Sequence, residues 1–282
     1  MWFTYALLGA AITGIGQVLV KKGQVKLTPL LDNLLATLIV TLVLVPFLFI
    51  RGVDIEAGKS ILIYALIAAA MYATFYYIIN LGNVSLMVSL INTFPVVTTI
   101  LAVGFLHELP SLYQWFGIIL VIFGTIFISR EKTEKGAKNR KRSWIIWGLI
   151  GSLAIGIAEF VTKLATLQVD GFTFTFFVYL MYIPPLLIFM AIDKNGRKFE
   201  KLKNKSSLLY TVIGIFFIET GLIAIALAYQ YGQASLVSPV VSTHMLITAL
   251  LATFFLKERL LTVQKIGILV TLIGVSVIGI WS

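Results

Sequence analysis

Apolar runs of about 20 residues, the length at which an α-helix crosses the hydrocarbon core of a bilayer, recur along the whole chain. They lie at Trp2–Val20, Leu30–Ile50, Ile61–Ile79, Val84–Leu106, Leu112–Ser129, Trp144–Leu164, Phe172–Ile192, Leu208–Tyr229, Ala234–Leu256 and Val263–Trp281. A bilayer interior offers no hydrogen-bond partner to free backbone groups, so each run must satisfy its own as a helix. The expected fold is an all-α integral membrane protein with ten transmembrane helices and almost nothing left over for a soluble domain. Composition agrees: 59% of residues are hydrophobic and 12% charged, where a soluble domain carries about a quarter charged. The formal charge of +10 does not point to nucleic acid, because the basic residues are confined to short segments between the runs. The absence of cysteine excludes disulfides and thiol chemistry. The first run has no basic region ahead of it and continues directly into the fold, so no cleavable signal peptide is expected.

Two connections are strongly polar, Arg130–Ser143 and Asp193–Ser206. Of the 22 Lys and Arg, all but Arg51, Lys59 and Lys163 fall at odd-numbered connections. Basic loops stay cytoplasmic. The expectation is a multi-pass protein of the cytoplasmic membrane, with its basic loops inside and both termini external.

The chain also matches itself. Asn80–Ile128 aligns without gaps to Gln230–Ile278, with identities that include Gly82/Gly232, Ser85/Ser235, Glu108/Glu258, Gln114/Gln264, Gly117/Gly267 and Gly124/Gly274. The starts match as well, through Trp2/Trp144, Gly9/Gly151, Gly14/Gly156, Gln17/Glu159 and Lys21/Lys163. This divides the chain into a first five-helix repeat (residues 1–129), a basic linker (130–143) and a second five-helix repeat (144–282). Five spans is an odd number, so the second repeat must lie inverted. Many secondary transporters are built this way, with the substrate near the midplane where the repeats meet.

With these features the sequence resembles the EamA-type transporters of the drug/metabolite transporter superfamily. The resemblance rests on Phe105-Leu106-His107-Glu108 with Gln114 and Gly117, on Phe255-Leu256-Lys257-Glu258 with Gln264 and Gly267, and on Lys21 and Lys163 near the ends of the first and sixth spans. It implies a ten-helix transporter with a central cavity, moving amino acids or other small metabolites, and leaves the substrate open. His107 and Lys257 stand where the family often has a small residue.

Polar groups inside the spans are the candidate site. Glu219 lies near the centre of Leu208–Tyr229, and a carboxylate there normally faces a cavity or a partner. His244 is similarly central in its span. Each could instead make only a packing hydrogen bond. Their repeat counterparts are Ala69 and Phe94, so symmetry does not require them. Glu159 and Lys163, four apart on one helix, face each other and suit either mutual neutralisation or a role in gating or binding. Gln17 and Lys21 hold the equivalent places in the first repeat. Tyr72 and Tyr76 share a face of the third span and could line a cavity, whereas Tyr77 and Asn80 read as interface anchors. Asn92/Ser242, Thr93/Thr243 and Thr98/Thr248 match across the repeat, suiting either bonds between helices or a central site. Pro95, Pro184, Pro185 and Pro239 fall inside spans, where each removes a backbone donor and loosens the helix.

Enzyme readings are weak. His107–Ser111 begins like a zinc-binding HExxH but ends in Ser111, and two histidines without cysteine make no usual zinc site. The aspartates Asp32, Asp54, Asp170 and Asp193 all lie away from span centres. Ser238 or Ser242 with His244 does not form a serine–histidine pair at helical spacing. No nucleotide-binding loop is present. The leading reading is a secondary transporter of amino acids, amines or related metabolites, working by alternating access. Its partners are a small-molecule substrate and the lipid bilayer, with a proton as a candidate coupling ion. No cofactor or metal is expected, and the oligomeric state is expected to be a monomer or weak dimer. The alternative, from a different class, is a lipid-head-group flippase or a membrane scaffold subunit.

Overall fold

A computed structural model describes residues 1–23, 34–42, 52, 54–78, 90–130, 143–192, 205–257 and 259–282. The acidic partner Glu258, most of the second span, the start of the fourth, and the interiors of both basic connections lie outside them. The helices are α1 (Trp2–Gly23), α2 (Ile55–Ser60), α3 (Leu62–Ile78), α4 (Phe94–Leu106), α5 (Leu112–Ile128), α6 (Ser143–Thr166), α7 (Gly171–Leu180), α8 (Ile183–Ile192), α9 (Lys205–Tyr231), α10 (Ala234–Val241), α11 (His244–Phe255) and α12 (Thr262–Ile280). Residues 34–42 are also helical, and no strand forms among the described residues. Among the described residues, six helical segments are long and apolar enough to cross a membrane: Trp2–Gly23, Ile145–Thr166, Gly171–Ile188, Leu208–Tyr231, Ala234–Phe255 and Thr262–Ile280. Leu62–Phe75, Phe94–Leu106 and Leu112–Ile128 are shorter apolar helices. Large side chains such as Ile100, Phe105, Leu153, Phe254 and Leu269 stand exposed on the outside, as suits helices solvated by lipid.

Three of the expected continuous spans are broken, two of them in the second half of the chain. The seventh span splits at Met181–Tyr182 into α7 and α8, and the ninth splits at Ser242–Thr243 into α10 and α11. Proline accompanies both. Pro184 and Pro185 open α8 and can donate no hydrogen bond back to Leu180 and Met181, while Pro239 removes the donor that would bond Ser235 within α10, three residues before the second break. A matching break at Asn92–Thr93 precedes Pro95 at the start of α4.

Helix ends are closed by local chemistry. At the start of α5 the Ser111 N–H donates to Gln114 Oε1 (2.7 Å), and the Gln114 N–H donates to Ser111 Oγ (3.3 Å), a capping box. Asp170 caps α7, accepting from the N–H groups of Phe172 (3.0 Å) and Thr173 (3.2 Å). His107 and Lys257, equivalent in the repeat, both take left-handed backbone conformations, with φ of 53° and 56°. That geometry is uncommon outside glycine.

The long helices pack in pairs, α1 along α9, α3 along α6 and α5 along α12. Glycine permits the closest approach. A Cβ on Gly16 of α1 would lie 2.5 Å from the carbonyl oxygen of Gly214 on α9. Residues matched in the sequence repeat make matching contacts. Thr98 on α4 donates to the carbonyl of Gly156 on α6 (3.2 Å). Its counterpart Thr248 on α11 donates to the carbonyl of Gly14 on α1 (3.3 Å). Such small-residue crossings and hydroxyl bonds are how helices associate in lipid, where apolar burial drives little.

Candidate functional site

The helix break between α7 and α8 and the close α3–α6 packing leave a cavity bounded by α3, α6, α7 and α9. It measures about 30 Å³ and is lined by polar residues Tyr72, Thr162, Thr175, Tyr179 and Tyr182, with Phe174, Val178, Leu222, Ile225 and Ala226 supplying apolar wall. That is room for a water or two. The rings of Tyr179 and Tyr182 stack with centroids 5.3 Å apart.

Glu219, on α9, is 2% exposed and accepts a hydrogen bond from the Tyr179 hydroxyl. It therefore stands just behind the cavity wall. Glu159, on α6, is buried and accepts from the Tyr229 hydroxyl (2.6 Å) and the Ser238 hydroxyl (2.5 Å). Tyr72 lies between the two acids, beside Thr162 and within electrostatic reach of both carboxylates. The result is one polar band through an apolar core: Glu219–Tyr179–Tyr182 on one side, Tyr72 and Thr162 in the middle, Glu159–Tyr229–Ser238 on the other.

Lys163 and Glu159 do not neutralise each other in this arrangement. The Lys163 ammonium donates to the carbonyls of Tyr229 (2.9 Å) and Gly232 (2.7 Å), at the C-terminus of α9. A cation is favoured there by the carbonyl end of the helix. Two residues on, Glu108 from the end of α4 accepts from the N–H groups of Ala234 and Ser235 (2.8 Å each) and from the Ser235 hydroxyl (2.5 Å). A cation and an anion from different helices thus hold the two sides of the α9–α10 turn. Gln230, in the same turn, accepts from the Gly171 N–H at the start of α7 (3.0 Å).

The other predicted residues form separate groups. His244 Nδ1 meets Gln17 Oε1 at 3.2 Å, and the same oxygen accepts from the Thr248 hydroxyl (2.8 Å). This joins α1 to α11. Asn92 donates to the Ser129 hydroxyl (2.9 Å). Ser242, fully buried at the α10–α11 break, donates to the carbonyl of Pro239 (2.7 Å). The structure therefore brings Tyr72, Glu159 and Glu219 together and sets His244 with Gln17 away from the cavity lining. Tyr76 lies on α3, with its side chain outside the described residues.

Sequence reasoning missed Tyr179, Tyr182, Tyr229, Ser238 and Thr162. Tyr229 ends its apolar run and reads as an interface anchor, Tyr179 and Tyr182 sit mid-run with no charge to mark them, and threonine in a span reads as a helix–helix bond. The signal available was the density of tyrosine: Tyr179 and Tyr182 flank the break that Pro184 and Pro185 announce.

A family model described as the EamA-like transporter family matches residues 1–130 and 142–280. An uncharacterized protein of Methanocaldococcus jannaschii, MJ1333.1, is 32% identical over 136 residues, which cover 48% of this chain and 96% of that protein. A protein described only as a crystal structure superposes with a TM-score of 0.79 at 12% identity, over 97% of this chain and 96% of that one. At that identity the likeness concerns the fold alone. With both long segments matched by one family model, this multi-pass membrane protein belongs to the EamA-like transporter family.

Proposed function

We propose that the protein is a secondary transporter moving small metabolites (amino acids, amines or related compounds) across the cytoplasmic membrane by alternating access. Its ten spans form two inverted five-helix repeats, the basic connections face the cytoplasm, and the termini lie outside. One observation carries the reading: a small, largely apolar cavity carrying tyrosine and threonine hydroxyls where α3 of the first repeat meets α6, α7 and α9 of the second, backed by two buried carboxylates held by tyrosine hydroxyls. Intramembrane carboxylates are costly and are retained where they face a pathway or a partner.

The exchange of helix pairs supports the repeat. The α1–α9 contact corresponds to α6–α3, and the α4–α6 contact corresponds to α11–α1. Broken helices at a repeat interface are a recurrent way to build a binding site in transporters, and α7–α8 and α10–α11 are such breaks. The cavity's small volume fits an occluded state, and widening requires α7 to part from α9.

Glu219 is the residue assigned to substrate or proton binding. Reconstituted into liposomes, Glu219→Gln should fold and melt like the wild type yet lose transport, or transport without pH dependence. If it transports with unchanged pH dependence, Glu219 is structural only and the assignment fails.

A further inference from the structure

We infer that the cavity selects an amine cation that carries no carboxylate, rather than an amino-acid zwitterion or an anion. This rests on the transporter reading and narrows it to one substrate class. Three independent features polarise the cavity the same way.

The first is the aromatic wall. Tyr72, Phe174, Tyr179 and Tyr182 all border the cavity, and ring faces attract cations, more strongly where water is excluded.

The second is the backbone. The helix α7 ends at Leu180, among the cavity residues Val178, Tyr179 and Tyr182. The carbonyl end of a helix carries partial negative charge. Because residues 184 and 185 are prolines, the carbonyls of Leu180 and Met181 have no N–H four residues on to accept from.

The third is the side-chain charge. Glu219 is joined to the wall through Tyr179, and Glu159 lies within electrostatic reach of Tyr72.

Nothing among the described lining residues offers a carboxylate a counter-ion. Among the described residues, no Lys, Arg or His borders the cavity. Lys163 follows Thr162 directly, yet its ammonium is committed to two backbone carbonyls at the α9–α10 turn. His244 is engaged with Gln17. The N-terminus of α7, which would favour an anion, is already closed by Asp170. A carboxylate entering this space would lose its hydration with no cation among the described lining residues to offset the loss.

The test uses matched pairs that differ only by the carboxylate: isobutylamine and valine, phenethylamine and phenylalanine, cadaverine and lysine, with isobutyrate as the anion. Binding to the purified full chain is read by thermal shift and by calorimetry, and movement is read by counterflow in liposomes. At least one amine should bind about tenfold or more tightly than its amino acid, isobutyrate should not bind, and Tyr182→Leu should weaken the amine while the protein still folds. The inference is overturned if every amino acid binds as well as its amine, if isobutyrate binds best, or if no amine binds. Amino-acid counterflow without amine binding would sink this inference and leave the transporter reading standing. Amine binding with no counterflow would do the reverse.

Discussion

Removing the carboxylate of Glu108 tests whether the α9–α10 turn is held from outside its own helices. Glu108 is 8% exposed and accepts three hydrogen bonds, two at 2.8 Å and one at 2.5 Å, from the first residues of α10. Hydrogen bonds to a charged group contribute about 1.5–3 kcal/mol each, so Glu108→Ala forfeits roughly 5–9 kcal/mol gross. Much of that is offset, because a buried carboxylate costs several kcal/mol to desolvate and water can reach the vacated N–H groups. The net expectation is a loss of about 2–4 kcal/mol, above the usual 0.5–2 kcal/mol for an N-cap. For a chain of this size each kcal/mol shifts the melting midpoint by about 2–4 °C, so Glu108→Ala should melt about 4–16 °C lower. Glu108→Gln keeps one acceptor oxygen but turns an NH₂ toward a donor, and should fall about halfway. The assay is thermal unfolding of purified protein in one detergent, with Ser235→Ala alone and combined with each variant. The single and double losses should be non-additive, since the two residues share a bond. If Glu108→Ala melts within about 1 °C of the wild type, the turn is held by its own helices and the clamp is incidental.

Other expectations follow from the same packing. Gly16→Leu should separate α1 from α9 and cost about 1–3 kcal/mol or more by overpacking, read as a lower melting midpoint, whereas a leucine at Gly104, which has open space around its Cβ position, should be tolerated. Gln17→Ala removes the partner shared by His244 and Thr248, and should lower stability by about 1 kcal/mol while leaving substrate binding at the α3–α6–α7–α9 cavity intact. Because the chain has no native cysteine, single cysteines at Lys138 and Lys201 can be probed cleanly. Both should resist an impermeant thiol reagent in intact cells, and labelling of both from outside would reverse the proposed orientation.

Much of the architecture is legible in local sequence. A bilayer needs about 20 apolar residues per helix, so runs such as Leu208–Tyr229 announce their spans without any partner. The repeat is equally local, since the alignment of Thr98 with Thr248 and Gly14 with Gly156 foretells the paired bonds to the Gly156 and Gly14 carbonyls. Helix breaks are written in Pro184, Pro185 and Pro239, although the uninterrupted hydropathy of those runs concealed them. Even the anomaly of Glu219 is visible from composition alone, because a carboxylate amid apolar residues needs a reason.

What only the tertiary structure decided is which polar groups meet. His244 looks like a natural partner for Glu219, yet it reaches Gln17, while Glu219 takes Tyr179. Glu159 and Lys163 share a helix face by spacing, yet one accepts from Tyr229 and Ser238 and the other donates to the carbonyls that end α9. The physical reason is that lipid is as apolar as the side chains around it. The outward pattern of a membrane helix therefore does not fix its rotation, and the choice among polar partners falls to close packing through glycine and to hydrogen bonds between helices.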